Sequence, residues 1–553
     1  MESTHSLSNR QYWWGFTAIL ALYIGLRLLS WFNTVLLEDT DSVNYLRHIR
    51  LFLDFDLARI IDMEPDMAPF YLAFGALFSL PGWPVEVGGR LASFFFSVLM
   101  FFAVASIGRH IADRRAVLVG LTLLALSPFL IPLSFAVLTE PSYIATIYIG
   151  IAVYWFAYQR PKMWQAVLLG VIFGAAFLNR FEGLIYLGVI PVLQAAHYVF
   201  HKDRSYSLSR LVAWIMLYIT VFLAVMAPQV WRVSNILGQF ALNGRQVWSV
   251  MMQRDDGRPL KEKILGLDYS DREINISYLK RHGDAWRNET RSFDPAGYVK
   301  AFIRNFDAVY QHRLGELVGL LALVLFAFGL LALVLAERYF AAMLIVALIA
   351  ANLVPPLLHN AMMRHIAVVA PLILLVAGIG VISVSELLGR HFNRKRLAGI
   401  VAVALIALSA LFMIRPLVKA VWLRPQGNVE YSPQEIREPI RVLKEQISKE
   451  GIVNPAVTAQ RGYLAHYAGI KQYYLPYAAF DKLVRFMELN NIHFLYIKHS
   501  RDSEYPFYET FVSREDPRFR RLYAGKDRDG NPVELWRFLP ATPQGRAGAT
   551  DQF

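Results

Sequence analysis

Three carboxylates crowd into the stretch Leu37-Glu38-Asp39-Thr40-Asp41-Ser42-Val43-Asn44-Tyr45. The stretch follows directly on a long apolar run, Tyr12 to Leu37, so the acids stand where a membrane-crossing helix would emerge into water. A carboxylate at that depth is costly unless it has a partner or a task. Crowded carboxylates also hold a proton more readily than isolated ones, which suits a general base or a metal ligand. A solvated, idle helix end would contain the same residue types. The rest of the chain decides between the two readings.

Other polar groups punctuate apolar runs in the same way. They are Glu140 in Thr139-Glu140-Pro141, the pair Arg180 and Glu182 in Asn179-Arg180-Phe181-Glu182-Gly183, and the group His359, Asn360, Arg364 and His365. Each has an ordinary explanation. Glu140 before Pro141 suits a helix start, where the helix dipole favours an acid. Arg180 and Glu182 suit a local ion pair, and Arg364 suits the end of a span. The signal lies in their coincidence, because acid and base recur together and all fall on one side of the membrane.

That sidedness comes from the elements. Of 553 residues, 56% are hydrophobic and 18% charged, where a soluble domain has about 25% charged residues. The apolar residues gather in runs of about 20, the length that crosses a bilayer. About eleven spans are expected, near 12–37, 88–107, 117–135, 142–157, 166–178, 184–200, 211–230, 314–335, 339–358, 366–388 and 397–418. Residues 44–80 read as interfacial. The segment 44–61 mixes Leu46, Ile49 and Leu53 with Arg47, His48 and Arg50, and 69–80 is apolar but short. Residues 231–313 form a long polar loop, and the chain is polar again from 422.

The net charge of +13 sits largely in short basic loops between spans, such as Arg390-His391-Phe392-Asn393-Arg394-Lys395-Arg396. That placement argues against nucleic-acid binding and sets topology. The basic loops and the N-terminus fall in the cytoplasm, in an inner-membrane protein. The acidic stretch, Glu140, Arg180, Glu182, residues 359–365, the loop 231–313 and the C-terminal part fall outside. The first span is too long for a cleaved signal, with no small-residue cleavage pattern after it. With no cysteine there is no disulfide, thiolate nucleophile or cysteine metal site.

Two domains follow: an all-α polytopic membrane domain over 1–421 and an external α/β domain over 422–553. Ser432-Pro433-Gln434-Glu435 has the form of a capping box, so a helix starts there and ends near Lys449 before Gly451. Strands are expected at 457–459 and 493–497, with a helix near 480–489 between them. A hairpin is expected from 519–523 and 533–538 around Asp529-Gly530. The acid-rich 527–531 lacks the closing glutamate of a calcium loop, since Glu534 comes too early, and reads as a turn.

In order and sidedness these residues resemble the GT-C glycosyltransferases, in the branch of the protein O-mannosyltransferases and the lipid A aminoarabinose transferases. The resemblance covers roughly residues 12–390. It rests on Asp41-Ser42-Val43-Asn44-Tyr45, on Pro69-Phe70-Tyr71 with Gly88-Gly89-Arg90-Leu91-Ala92-Ser93, on Thr139-Glu140-Pro141, on Asn179-Arg180-Phe181-Glu182-Gly183-Leu184, and on Arg364-His365 with Pro371. Each motif alone is weak. The family usually has adjacent Asp-Glu in the first external loop, whereas Ser42 follows Asp41 here. His365 stands where Tyr is more usual.

The resemblance implies an inverting transferase. It would move a hexose or pentose from a polyprenyl-phosphate donor in the bilayer to an acceptor hydroxyl on a glycan, lipid or protein. Asp41 would take the hydroxyl proton. Arg364, with Arg180 and His365 behind it, would steady the leaving phosphate. Asp39 or Glu140 would position the acceptor, and His359, Glu182 and Tyr45 would line the substrate site. No cofactor is required; a divalent cation is an option for the carboxylates with a histidine, but no ligand spacing demands one. The alternative is a transporter or flippase for a lipid-linked saccharide. That would place polar groups near mid-bilayer and echo one half of the chain in the other.

Overall fold

The computed structural model describes residues 7–34, 40–200, 206–244, 258–275, 277–278, 295–358, 362–423, 433–513, 515–527 and 530–540. The first half is a run of helices: α1 Asn9–Asn33, α2 Thr40–Leu53, α3 Leu57–Ile61, α4 Pro69–Ser79, α5 Val85–Ile111, α6 Arg114–Ala125, α7 Leu130–Leu133, α8 Glu140–Ala157, α9 Met163–Asn179, α10 Tyr186–Phe200 and α11 Leu208–Leu237. Further helices follow at Leu320–Leu335, Tyr339–Leu358, Ala370–His391 and Lys395–Val418.

A helix stands at each expected crossing, but among the described residues only 7 are long and apolar enough to span by themselves. Sequence breaks account for much of the difference. The third expected crossing divides into α6 and α7 around Ser127 and Pro128, because proline cannot extend a helix from the preceding turn. The fifth, α9, is 17 residues long. The eighth is bent by 97° between Phe302–Val318 and Leu320–Leu335. The break falls at Gly319, whose φ of +85° suits glycine alone.

Polar side chains lock the bundle together. Arg27, wholly buried in α1, donates from Nε to Ser134 Oγ at 2.9 Å and from Nη1 to the Ala125 carbonyl at 3.3 Å. Its guanidinium lies 3.3 Å from the Tyr23 ring centroid. Separate elements are therefore joined around a charge that the sequence reading passed over. Tyr148 on α8 accepts from the Leu372 amide and donates to the Val368 carbonyl, both at 2.9 Å. That pair fixes the 3-10 turn Ala367–Val369 that leads into Ala370–His391.

The C-terminal part is a five-stranded sheet in the order β2-β1-β3-β5-β4. Its strands are β1 Ala456–Ala459, β2 Lys471–Tyr474, β3 Phe494–Lys498, β4 Phe519–Lys526 and β5 Pro532–Phe538. β2, β1 and β3 run parallel, and β5 is antiparallel to both β3 and β4. The expected helix runs over Pro433–Glu450 and Gly451 follows at φ +58°; Ser432 lies outside the described residues. β2 was not foreseen. It is an edge strand, Lys-Gln-Tyr-Tyr, with no buried residue and no apolar alternation to betray it. In the expected turn, Asp527 Oδ1 accepts from the Asn531 amide at 2.7 Å, and residues 528–529 lie outside the described residues.

The sheet is joined to the helices. One buried core holds Val43, Tyr45 and Leu46 of α2 together with Val457, Ala459 and Tyr463. The described part of the long loop also docks on the sheet. The Tyr477 amide donates to the Leu265 carbonyl at 2.8 Å, and Asn490 Nδ2 to the Arg272 carbonyl at 2.9 Å.

Candidate active site

Chain breaks deliver the charged residues to one place. Asp41 lies in the first turn of α2, where a carboxylate is favoured by the helix dipole. Glu140 opens α8 and is followed by Pro141, which tolerates that position. Arg180 ends α9 in extended backbone, at φ −152° and ψ 138°. The chain then folds back as a short 3-10 turn, Phe181–Ile185, so tightly that a Cβ on Gly183 would lie 2.5 Å from the Phe177 nitrogen. Ser142 on α8 donates to Asn179 Oδ1 at 2.7 Å and fixes the end of α9 against the start of α8. Arg364 sits on the short helix Met363–Ile366, just ahead of the segment held by Tyr148.

These four segments build one chain of charge. Arg364 Nη2 donates to Asp41 Oδ2 at 2.7 Å, and its Nε lies 3.6 Å from Glu140 Oε1. Arg180 Nη1 donates to the same Glu140 oxygen at 2.5 Å, and its Nη2 to Glu182 Oε1 at 2.7 Å. The order is therefore Asp41, Arg364, Glu140, Arg180, Glu182. His365 lies within reach of the charges of Arg180, Glu140, Glu182 and Arg364. Tyr45 packs edge-on against Tyr71, with ring centroids 6.1 Å apart.

Burial divides the chain into a fixed part and an open part. The Glu140 and Arg180 side chains are each 3% exposed, Arg364 is 22% and Asp41 is 44%. Burial works against the charge on Arg180, but the Glu182 and Glu140 carboxylates outweigh it. The guanidinium is therefore a permanent cation. Breaking so buried a pair costs about 3–5 kcal/mol. Glu140 and Arg180 are thus the enclosed part, while Arg364 and Asp41 keep more of their surface exposed. Glu140 Oε2 is buried with no hydrogen-bond partner among the described residues.

A small cavity lies beside Arg180, lined by Asp66, Asn179, Gln229 and Asn243 among others. Arg232 pins its acidic wall, donating to the Met63 carbonyl at 2.7 Å and to the Met67 carbonyl at 3.0 Å. Sequence reasoning missed Asp66 and Asn243, which lie in stretches that read as interface and loop, and Gln229, which lies within the expected span 211–230. It also missed Tyr143, whose ring centroid lies 5.9 Å from the Arg180 guanidinium carbon. Asp39 and His359 lie outside the described residues. Among the described residues, no three His, Asp or Glu groups come close enough together to hold a metal ion.

Residues 64–231 match the family described as dolichyl-phosphate-mannose-protein mannosyltransferase. No curated protein matches the chain in sequence. Among solved structures, the apo oligosaccharyltransferase of Archaeoglobus fulgidus is similar at TM-score 0.60 and 14% identity, over 95% of this chain and 74% of that one. The archaeal oligosaccharyltransferase AglB of the same organism, in complex with an inhibitory peptide and a dolichol-phosphate, is similar at TM-score 0.55 and 13% identity, over 94% and 74%. ArnT from Cupriavidus metallidurans bound to undecaprenyl phosphate is similar at TM-score 0.54 and 14% identity, over 96% and 99%. At these identities the likeness is one of fold, and it takes in nearly all of this chain.

Proposed function

From the GT-C membrane glycosyltransferase fold that this chain carries, we propose that it moves a hexose or pentose from a polyprenyl-phosphate donor to an acceptor hydroxyl at the external membrane face. The observation that supports this best is the ion-pair chain from Asp41 through Arg364 and Glu140 to Arg180. It gathers an exposed carboxylate and two cations from four separate segments. A lipid phosphate in the structures of AglB and ArnT points to the same donor class.

Asp41 accepts the proton of the attacking hydroxyl as the new bond forms. Attack on the face opposite the leaving phosphate gives inversion at the anomeric carbon. Arg364 is the more exposed cation. Its planar fork meets Asp41, and a donor phosphate would compete for the same N–H groups. Binding of donor thus draws Arg364 from Asp41 and leaves that carboxylate open to the acceptor. Arg180, held by Glu140 and Glu182, keeps the position of the frame and adds positive potential where phosphate charge develops. The buried Glu140 Oε2, which has no hydrogen-bond partner among the described residues, suits a hydroxyl of the bound sugar or acceptor. A divalent cation stays an option that the described residues do not require.

The deciding experiment incubates purified protein with a panel of polyprenyl-phosphate sugars and acceptors. Released lipid phosphate with matching transfer of one sugar supports the reading. Passage of intact lipid-linked sugar across vesicles, with no phosphate released, would replace it with the flippase alternative.

A further inference from the structure

The C-terminal sheet stands against the first turn of α2, beside Asp41. Gln472 and Tyr474 are two residues apart on β2, so they share one face of the sheet. Their register partners, Val457 and Ala459, belong to the core that also holds Val43 and Tyr45. Asn44 Nδ2 donates to the Tyr474 hydroxyl at 3.1 Å, three positions along the chain from Asp41. Gly462, just past β1, packs so closely here that a Cβ would come within 3.1 Å of Val43 Cγ1 and 2.5 Å of Gln472 Oε1.

Two features of this face bear on a ligand. Gln472 Nε2 is buried and has no hydrogen-bond partner among the described residues. A buried amide donor left unmet is costly, and native structures normally satisfy it with protein, water or ligand. Tyr474 leaves 38% of its surface exposed at the same seam.

We infer that β2 is the acceptor-side wall of the active site, and that Gln472 and Tyr474 read the hydroxyl groups of a saccharide acceptor held beside Asp41. This rests on the transfer reading above. A hydroxyl supplies the lone pair that Gln472 Nε2 needs and a proton that the Tyr474 oxygen can accept. Neighbouring hydroxyls on one sugar ring meet both groups at once, and the ring's apolar face covers the exposed aromatic. An acyl chain offers neither group a partner.

The test uses full-length protein, a donor that the wild type consumes, and two acceptor sets: octyl glycosides, and short peptides bearing serine or threonine. Gln472→Glu keeps the shape but replaces the N–H donor with a charged acceptor, so its thermal midpoint is measured alongside to separate lost recognition from lost folding. For octyl glycosides, Gln472→Glu and Tyr474→Ala should each raise the acceptor KM about tenfold, the loss of one good hydrogen bond, with kcat and donor affinity within about twofold. An unchanged acceptor KM in both variants overturns the inference. So does a wild type that glycosylates only the peptides, or that passes the sugar only to water; both leave the transfer reading standing. If no donor loses its lipid phosphate under any condition, the transfer reading itself falls.

Discussion

Asp41 and Arg364 touch each other and are the two most exposed members of the charge chain, so substitutions there should act on chemistry before they act on the fold. Asp41→Asn keeps the shape and the hydrogen-bonding capacity but cannot take up a proton as a carboxylate does. Turnover should fall about 10²–10⁴-fold while labelled donor still binds. Asp39→Asn is the control, because the departure from the usual Asp-Glu pair leaves these two acids in competition. If Asp39→Asn is the dead variant and Asp41→Asn is active, the base is two residues earlier. Arg364→Ala should cost about 10²–10³-fold in kcat/KM, and Arg364→Lys should recover only part of it. An ammonium keeps the charge but cannot span Asp41 and Glu140 as the planar fork does. Full activity in Arg364→Ala would move the phosphate role to Arg180. These residues were legible in sequence because charge at the end of an apolar run is expensive and rare. Tyr143 and Gln229 were not, since an aromatic or an amide in a helix is ordinary until its neighbours are known.

Helix ends, more than helix middles, make the site. α9 stops at Asn179, the chain turns through Phe181–Ile185, and Gly183 lets that turn lie on the backbone of α9. Gly183→Val should therefore push the turn outward and carry Arg180 with it. The overpacking costs about 1–3 kcal/mol, read as a lower thermal midpoint in detergent, together with loss of transfer. A variant with wild-type midpoint and turnover would mean that the turn has room to shift. A second test concerns the helix Pro433–Glu450. Glu450 meets Arg537 Nε at 2.7 Å and Arg520 Nη2 at 2.9 Å. Burial pushes its carboxyl up, but the two arginines and Gln446 outweigh that and hold it below the usual range. A depressed folded pKa stabilises above the unfolded value, about 4.3, and the benefit disappears as pH falls through the folded pKa. The C-terminal sheet should loosen as pH drops below about 4.3, and Glu450→Gln should flatten that dependence in hydrogen exchange of β4 and β5. Long apolar helices and the β4–β5 hairpin were readable from period and turn residues. β2 and the break at Gly319 were not, because neither leaves a hydrophobic pattern; only the fold explains why Lys471–Tyr474 pairs with β1.

On the scale of the whole molecule, the sheet, the loop around 260–278 and the start of α2 pack as one body on the side of the charge chain. Lys482 and Arg485 lie 3.9 Å and 3.5 Å from Asp271, which adds to the seam between loop and sheet. This unity was hidden in sequence, where 231–313 and the C-terminal part read as separate polar stretches. It also makes a strict demand on topology. Asp41, Glu140, Arg180 and Arg364 are in contact, and Asn44 touches Tyr474, so the sheet must lie on the same side of the membrane as all four. The basic run Arg390–Arg396 begins in the last turn of the helix Ala370–His391, whose other end lies close to Arg364 in the chain. That helix is 22 residues long and rises about 33 Å, enough to cross the hydrocarbon core. The positive-inside rule leads us to expect that the run emerges on the opposite face and that this face is the cytoplasmic one. Reporter fusions at residue 393 and after Pro540 should give opposite signals, cytoplasmic for the first and external for the second. Moving positive charge should move the protein: replacing Arg390, Arg394, Lys395 and Arg396 with glutamine should yield a mixed population. Equal signals from the two fusions in the unaltered chain would put the sheet and the basic run on one side. The helix Ala370–His391 would then not cross, and a one-sided active site fed by a lipid-linked donor would lose its basis.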